Sequence, residues 1–223
     1  VNADFRGHGL SGPAEEPFDL HDLVDDQIAI LDHLGIERAV WAGLSIGGMV
    51  AMRAALARPD RVAALALLDT DARAETRARK LRFGAMGLAA RAVGIRPLLP
   101  AIVPLFFSRG TRRADPELVD EWRMRFASMH VPSMRRFLDA LLARDPIVDR
   151  LGEIGVPALV VVGAEDSVTP PDLSEEIATA IPEASLVVVP HAGHLSALER
   201  PDEVTPALID FLESLPEPHE EEP

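Results

Sequence analysis

The chain of 223 residues contains no cysteine. That excludes a disulfide framework, a thiol nucleophile and a zinc–thiolate site, and it fits a reducing compartment, so a cytoplasmic location is expected. Positive charge is scarce. Lys80 is the only lysine, and the formal net charge is −14. Phosphates would be repelled over most of such a surface, which argues against a nucleic-acid partner. Long apolar runs are also missing. The most apolar stretch, Gly84 to Phe107, is interrupted by Arg91, Arg96, Pro97, Pro100 and Pro104, so no membrane span is expected. The first residues carry no basic-then-apolar leader pattern. Asp22, Asp25, Asp26 and Asp32 read as one solvated helix face, because no histidine or glutamate completes a metal-ligand set with them. No metal or other cofactor is implied.

What the chain does have is a hydrophobic content of 48%, enough for one globular domain with a full core, or a domain with an insert. Val1 to Asp4 reads as the end of a strand, followed by the glycine-rich loop Asp4-Phe5-Arg6-Gly7-His8-Gly9-Leu10-Ser11-Gly12. Asp19 caps a helix whose apolar positions Leu20, Leu23, Val24, Ile28, Leu31 and Leu34 recur at helical spacing until Gly35. Ala39–Ala42 is a short strand, Ile46–Ala57 a helix and Val62–Leu68 a fully apolar strand of the kind buried on both faces of a parallel sheet. This alternation gives the class α/β.

From Ala72 to Arg150 the pattern changes to successive helices, read as Arg73–Ala92, Pro97–Phe107, Pro116–Ser128 and Ser133–Ala143. The apolar side chains of Met86, Leu88, Ile95, Leu98, Leu99, Ile102, Leu105 and Phe106 either roof a pocket or pack the insert's own core. Val156–Gly163 resumes the sheet. A helix to about Ile181, a last strand over Leu186–Val189 and a helix from Pro201 follow. The chain thus divides into a core (1–71), a helical insert (72–150), a second core part (151–215) and an acidic, proline-rich tail (216–223) expected to be disordered.

One stretch carries chemistry. Val40-Trp41-Ala42-Gly43-Leu44-Ser45-Ile46-Gly47-Gly48-Met49 is a strand, a tight turn and a helix with the pattern G-x-S-x-G. A serine at such an elbow is held in a strained conformation with its hydroxyl exposed. Gly43 and Gly47 are expected where a Cβ would clash across the turn. Neutral serine needs a base, imidazole suits that role near neutral pH, and a carboxylate fixes the imidazole's tautomer. In open parallel sheets such groups collect in loops at the carboxyl ends of strands. Three such loops carry Ser45, Asp166 and His194, read as nucleophile, orienting acid and base, with the N–H of Ile46 facing a developing oxyanion. Asp69 is the rival acid, His191 the rival base, and His8 is assigned a structural role.

With these residues in place, the sequence resembles the α/β-hydrolase fold family over nearly its whole length. The segments that carry the resemblance are Asp4-Phe5-Arg6-Gly7-His8-Gly9-Leu10-Ser11, the elbow Gly43-Leu44-Ser45-Ile46-Gly47-Gly48, the acid loop Gly163-Ala164-Glu165-Asp166 and the histidine loop Gly193-His194-Leu195 with Glu199-Arg200-Pro201. The resemblance implies a mostly parallel sheet flanked by helices, and it makes the insert a helical cap. Within the family the chain looks most like the 3-oxoadipate enol-lactonase and small-esterase group. Relatives with aspartate at the elbow, such as haloalkane dehalogenases and epoxide hydrolases, are excluded by Ser45. The implied activity is hydrolysis of a small-molecule ester or lactone through an acyl-enzyme. Cleavage of a C–C bond beside a ketone, perhydrolysis and non-catalytic binding in the same pocket are the alternatives. Leu44, Met86, Leu98, Ile102, Phe106, Val168 and Leu195 are the expected substrate contacts.

The chain departs from the family's pattern at its start, which corresponds to the family's fourth strand. The first three strands, and the loop expected to supply a second oxyanion donor, have no counterpart. The elbow strand is then expected to have an open edge that a second copy could pair with. A fragment of a longer protein, of roughly 260–290 residues, is the simplest expectation, with weak or no activity for the polypeptide alone.

Overall fold

The computed structural model describes residues 1–216, so of the expected disordered tail all but Pro216 lies outside the described residues. The first helix, α1 (Leu20–His33), opens with a reciprocal cap: the Asp19 carboxylate accepts from the N–H groups of His21 and Asp22, and the Asp22 carboxylate accepts from the N–H of Asp19. Its buried stripe is Leu20, Leu23, Val24, Ile28 and Leu31, as the spacing predicts, but Leu34, the last expected position, is the C-cap and is half exposed because the helix ends at His33. The acidic face is partly tied down. Asp26 pairs with Arg6 at 2.6 Å and Asp32 with Arg61 at 2.7 Å.

Strands β1 (Ala39–Leu44), β2 (Val62–Leu68), β3 (Ala158–Gly163) and β4 (Ala184–Val189) form one parallel sheet in the order β1-β2-β3-β4. The α/β class with a parallel sheet flanked by helices is therefore as expected. Side chains alternate between two cores with the period of a strand. Leu65, Leu67 and Val160 face α1, α2 (Ile46–Ala57) and α8 (Pro171–Ala180), while Ala66, Leu68, Leu159 and Val161 face α10 (Pro201–Ser214), which follows the short helix α9 (Ser196–Glu199). Every residue of β3 is buried, which is why the segment reads as an unbroken apolar run. Burying one such leucine or valine contributes about 1.5–3 kcal/mol.

The register places function at one end. Leu44 pairs with Leu68, Leu68 with Val161 and Gly163 with Val189. The loops that follow β1, β2, β3 and β4 thus emerge side by side at the carboxyl edge of the sheet.

Between β2 and β3 lie α3 (Arg77–Val93), α4 (Leu99–Phe106), α5 (Arg109–Ala114), α6 (Pro116–Ala127) and α7 (Val131–Ala143), with a 3-10 turn over Arg96–Leu98 ahead of α4. The spacing predicts a helix from Arg73, but α3 starts after Thr76, whose hydroxyl accepts from the Arg79 N–H, while the Arg73 N–H is taken by the Asp71 carboxylate. The sequence pattern gives no helix over Arg109–Ala114; the element exists because Ser108 caps it, accepting from Thr111 N–H at 3.1 Å. Helix α7 begins two residues early, since Pro132 fits the unpaired first turn.

Val1 to Asp4 is not a strand. Among the described residues β1 pairs only with β2, and the segment runs irregularly beside the other edge without a ladder partner. There Val1, Asn2, Ala3 and Phe5 line a groove of about 420 Å³ together with Ile36 and Trp41.

Candidate active site

The elbow is built by close backbone approach. Ser45 has φ 54° and ψ −115°, a conformation that L-residues adopt only under constraint. Four bonds hold it there: its N–H donates to Leu68 O at 2.8 Å, and its carbonyl accepts from Gly48 N–H at 3.0 Å, from Met49 N–H at 3.2 Å and from Thr70 Oγ1 at 2.6 Å. A Cβ on Gly43 would stand 2.2 Å from the Gly47 carbonyl carbon, and one on Gly48 would stand 2.7 Å from Thr70 Oγ1. A Cβ on Gly47 would meet nothing within 4 Å. The steric demand expected at Gly43 and Gly47 therefore falls on Gly43 and Gly48, because Gly47 faces the groove beside β1.

Ser45 sits at the N-terminus of α2, where the first-turn N–H groups lack intrahelical acceptors and the helix dipole is positive. The first of these groups belongs to Ile46.

Ser45, His194 and Asp166 are joined by hydrogen bonds. His194 Nε2 lies 2.9 Å from Ser45 Oγ, and His194 Nδ1 lies 2.8 Å from Asp166 Oδ2. His194 is 1% exposed and Asp166 is 4% exposed, so the bond between them is shielded from water, while Ser45 is half-buried and its hydroxyl faces the cavity. The Asp166 carboxylate is saturated: Oδ1 accepts from Val168 N–H (2.7 Å) and Thr169 N–H (3.0 Å), and Oδ2 accepts from Thr169 Oγ1 (2.7 Å) as well as from the imidazole. With a carboxylate on Nδ1, that nitrogen carries the proton and Nε2 is left to accept from the serine hydroxyl. Thr169 is a supporting residue that sequence reasoning missed. Its position three residues after Asp166, where a side-chain hydroxyl can return to the carboxylate, was the available signal.

The rival groups lie elsewhere in the network. Asp69, with φ 46°, is fully buried and accepts from Gly163 N–H (2.9 Å), Ser196 N–H (3.1 Å) and Ser196 Oγ (2.6 Å). Burial pushes its carboxyl up to about 6, against the lowering effect of those bonds. The His191 side chain is 78% exposed, with Nδ1 3.9 Å from Glu165. His8 stacks edge-on against Phe137, with ring centroids 4.3 Å apart, and lines the cavity described next.

A cavity of about 480 Å³ opens over Ser45 and His194, within the size range of small-molecule sites. Of the expected contacts, Leu44, Met86, Leu98, Ile102, Phe106 and Val168 line it. Leu195 does not: it is buried in a separate cluster with Val103, Phe107 and Val119. Of the wider set, Ile95 and Leu105 also line the cavity, whereas Leu88 is exposed and Leu99 packs with Ala90 inside the insert. The Phe106 ring meets His194 edge-on at 5.4 Å and Trp122 at 5.0 Å.

Charge enters the wall at one place, where Arg144 bonds Asp71 (2.9 Å) and Glu75 (3.2 Å), and Arg79 Nε lies 2.9 Å from Glu75. The two cations and two carboxylates offset one another. Among the described residues, no group of three or more histidine, aspartate or glutamate side chains is placed to hold a metal, and no helix is long and apolar enough to cross a membrane.

Comparison with known proteins agrees with this architecture. A family model described as alpha/beta hydrolase fold matches residues 2–201. A thermophilic esterase from Thermogutta terrifontis superposes with a TM-score of 0.90 at 31% identity, covering 95% of this chain and 78% of that one. The enol-lactonase from Burkholderia xenovorans superposes with a TM-score of 0.88 at 31% identity, covering 94% and 79%. The 3-oxoadipate enol-lactonase 2 of Acinetobacter baylyi is 30% identical over 199 residues, covering 89% of this chain and 72% of its own length. The parallel sheet, the strand-to-helix elbow and these similarities place the chain in the α/β-hydrolase fold family of enzymes.

Proposed function

We propose that the protein hydrolyses a carboxylic ester or lactone through an acyl-enzyme on Ser45. The observation that carries this reading is the unbroken hydrogen-bond chain from Ser45 Oγ through His194 to Asp166, opening onto an apolar cavity. The similarity to an esterase and to enol-lactonases supports the substrate class.

The steps follow from the groups present. His194 Nε2 takes the Ser45 proton as Oγ attacks the substrate carbonyl. The Ile46 N–H donates to the oxyanion, a contribution of roughly 3–4 kcal/mol for one such donor. The imidazolium, stabilised by Asp166, then gives its proton to the departing alkoxide as the C–O bond breaks. Water, deprotonated by the same imidazole, attacks the acyl-serine ester, releases the carboxylic acid and restores Ser45. For a lactone, the alcohol and acid products are one molecule.

The test is covalent labelling with a fluorophosphonate probe, with the adduct located by peptide mass spectrometry. The expected adduct is on Ser45 and is lost in Ser45→Ala and His194→Ala. A folded protein that no probe labels, either as this polypeptide or with sequence added upstream, and that turns over no member of a panel of p-nitrophenyl esters and small lactones, overturns the proposal.

A further inference from the structure

Glu199 is buried, at 6% exposed, and among the described residues no arginine or lysine forms an ion pair with it in the manner usual for a buried carboxylate. Its two oxygens go to two different parts of the molecule. Oε1 accepts from Gly193 N–H at 2.7 Å, one residue before His194. Oε2 accepts from Ser108 N–H at 2.9 Å, at the junction between α4 and α5 in the helical insert. The two backbones are pressed together at this point, since a Cβ on Gly193 would stand 2.7 Å from Ser108 N. On the insert side the preceding residues matter directly. Phe107 is 2% exposed, and Phe106 is the cavity residue whose ring meets the imidazole.

We infer that Glu199 is a positioning residue that locks the helical insert in register with the loop carrying His194, so that one carboxylate sets the imidazole and the Phe106 wall against each other. The inference rests on the base role proposed for His194. Charge-assisted bonds from a carboxylate to N–H groups are short and strong, and a carboxylate is the side chain that offers two acceptors and no competing donor. Glutamine in the same place can satisfy one N–H and turns a second donor toward the other. That leaves one buried N–H unpaired and lets the two segments part. Displacement of a reacting group by about 1 Å costs on the order of 100-fold in rate.

Two variants test this from opposite ends. Glu199→Gln removes the acceptor. Ser108→Pro removes the donor on the insert side, at a residue whose φ of −57° proline adopts and which follows Phe107 at ψ 140°; it also takes away the hydroxyl that caps α5, a loss that the control Ser108→Ala, with its N–H intact, measures by itself and that should leave kcat and the imidazole signal unchanged. Both are read in p-nitrophenyl ester turnover, and in the far-downfield proton NMR signal of the His194 Nδ1–H, which needs no activity to be seen. The expected result, with native circular dichroism, is a kcat lowered roughly 10- to 100-fold, a KM changed by less than about threefold, and a shifted or broadened imidazole signal in both variants. The proposal is overturned if either folded variant keeps its kcat and an unshifted signal, or if neither variant folds, since the contact is then structural alone. If the wild type neither takes up the fluorophosphonate nor turns over any ester or lactone, the hydrolase reading fails separately, and the NMR signal still decides whether Glu199 positions the ring.

Discussion

Asp69 and Ser196 are joined twice: Asp69 Oδ2 accepts from both the backbone N–H and the hydroxyl of Ser196, at 3.1 and 2.6 Å. Its other oxygen accepts from Gly163 N–H. Asp69 therefore ties together the two loops that carry Asp166 and His194 without touching the imidazole.

Different outcomes are expected for the two carboxylates. On the hydrolase reading, Asp166→Asn leaves the geometry in place but favours the wrong imidazole tautomer, and should lower kcat by about 10³- to 10⁴-fold. Asp69→Asn should lower the melting temperature while reducing kcat by no more than about tenfold, because its effect passes through loop position. Steady-state kinetics with fluorophosphonate labelling rates separates them. Activity that survives Asp166→Asn but not Asp69→Asn would move the orienting role to Asp69.

Asp69 also predicts a pH dependence of stability. Its folded value, about 6, lies above that of the unfolded chain. Between about pH 4 and 6 the folded state binds a proton that the unfolded state has lost, so this group's contribution to stability rises as pH falls through that window. Above pH 6 the buried, ionised carboxylate is a cost of roughly 1–3 kcal/mol. Relative to Asp69→Asn, which has no group to titrate there, the wild type should gain stability on going from pH 6.5 to pH 4.5, by at most about 1.4 kcal/mol per pH unit. Urea denaturation at several pH values checks this. A stability difference that is flat across the window rejects it.

The elbow glycines give a prediction that reverses the motif's usual reading. Gly43→Ala and Gly48→Ala place a Cβ at 2.2 Å from backbone and 2.7 Å from the Thr70 side chain, respectively. Gly43→Ala should be the worse, losing several kcal/mol or failing to fold, since backbone cannot give way. Gly47→Ala meets open space inside a helix, and should be neutral or stabilising by up to about 1 kcal/mol. Thermal denaturation of the three variants orders them. A Gly47→Ala loss as large as that of Gly43→Ala would contradict the geometry.

Much of this was legible in the residues. Leu65 and Val160 sit in continuous apolar runs, and a strand buried on both faces has no other way to read. Asp19 and Pro201 announced helix starts by chemistry local to the chain. What was not legible depended on distant partners. Leu195 follows His194 in sequence, yet it turns away from the cavity to pack on Val103 and Phe107 of the insert. Val1 to Asp4 reads as a strand end, but a strand exists only where another pairs with it. Helix α5 has no apolar periodicity and depends on a cap from Ser108, whose own N–H is held by Glu199, 91 residues away.

The cavity wall predicts selectivity for the acyl group. Arg79 and Arg144 line the space, but Asp71 and Glu75 offset them, and the remaining lining is largely aliphatic and aromatic. A substrate carboxylate entering there would be desolvated without a cation of its own, at a cost of several kcal/mol. On the hydrolase reading, p-nitrophenyl butyrate should exceed p-nitrophenyl hydrogen succinate in kcat/KM by roughly 100-fold, equivalent to about 2.7 kcal/mol. Glu75→Gln removes one of the two offsetting charges and leaves Arg79 and Arg144 with an uncompensated positive charge. It should narrow that ratio by about tenfold, the worth of roughly 1.4 kcal/mol of new attraction. Equal turnover of the two esters by the wild type would mean that an arginine leaves its carboxylate to meet the substrate. The wall would then serve acidic lactones instead of neutral esters.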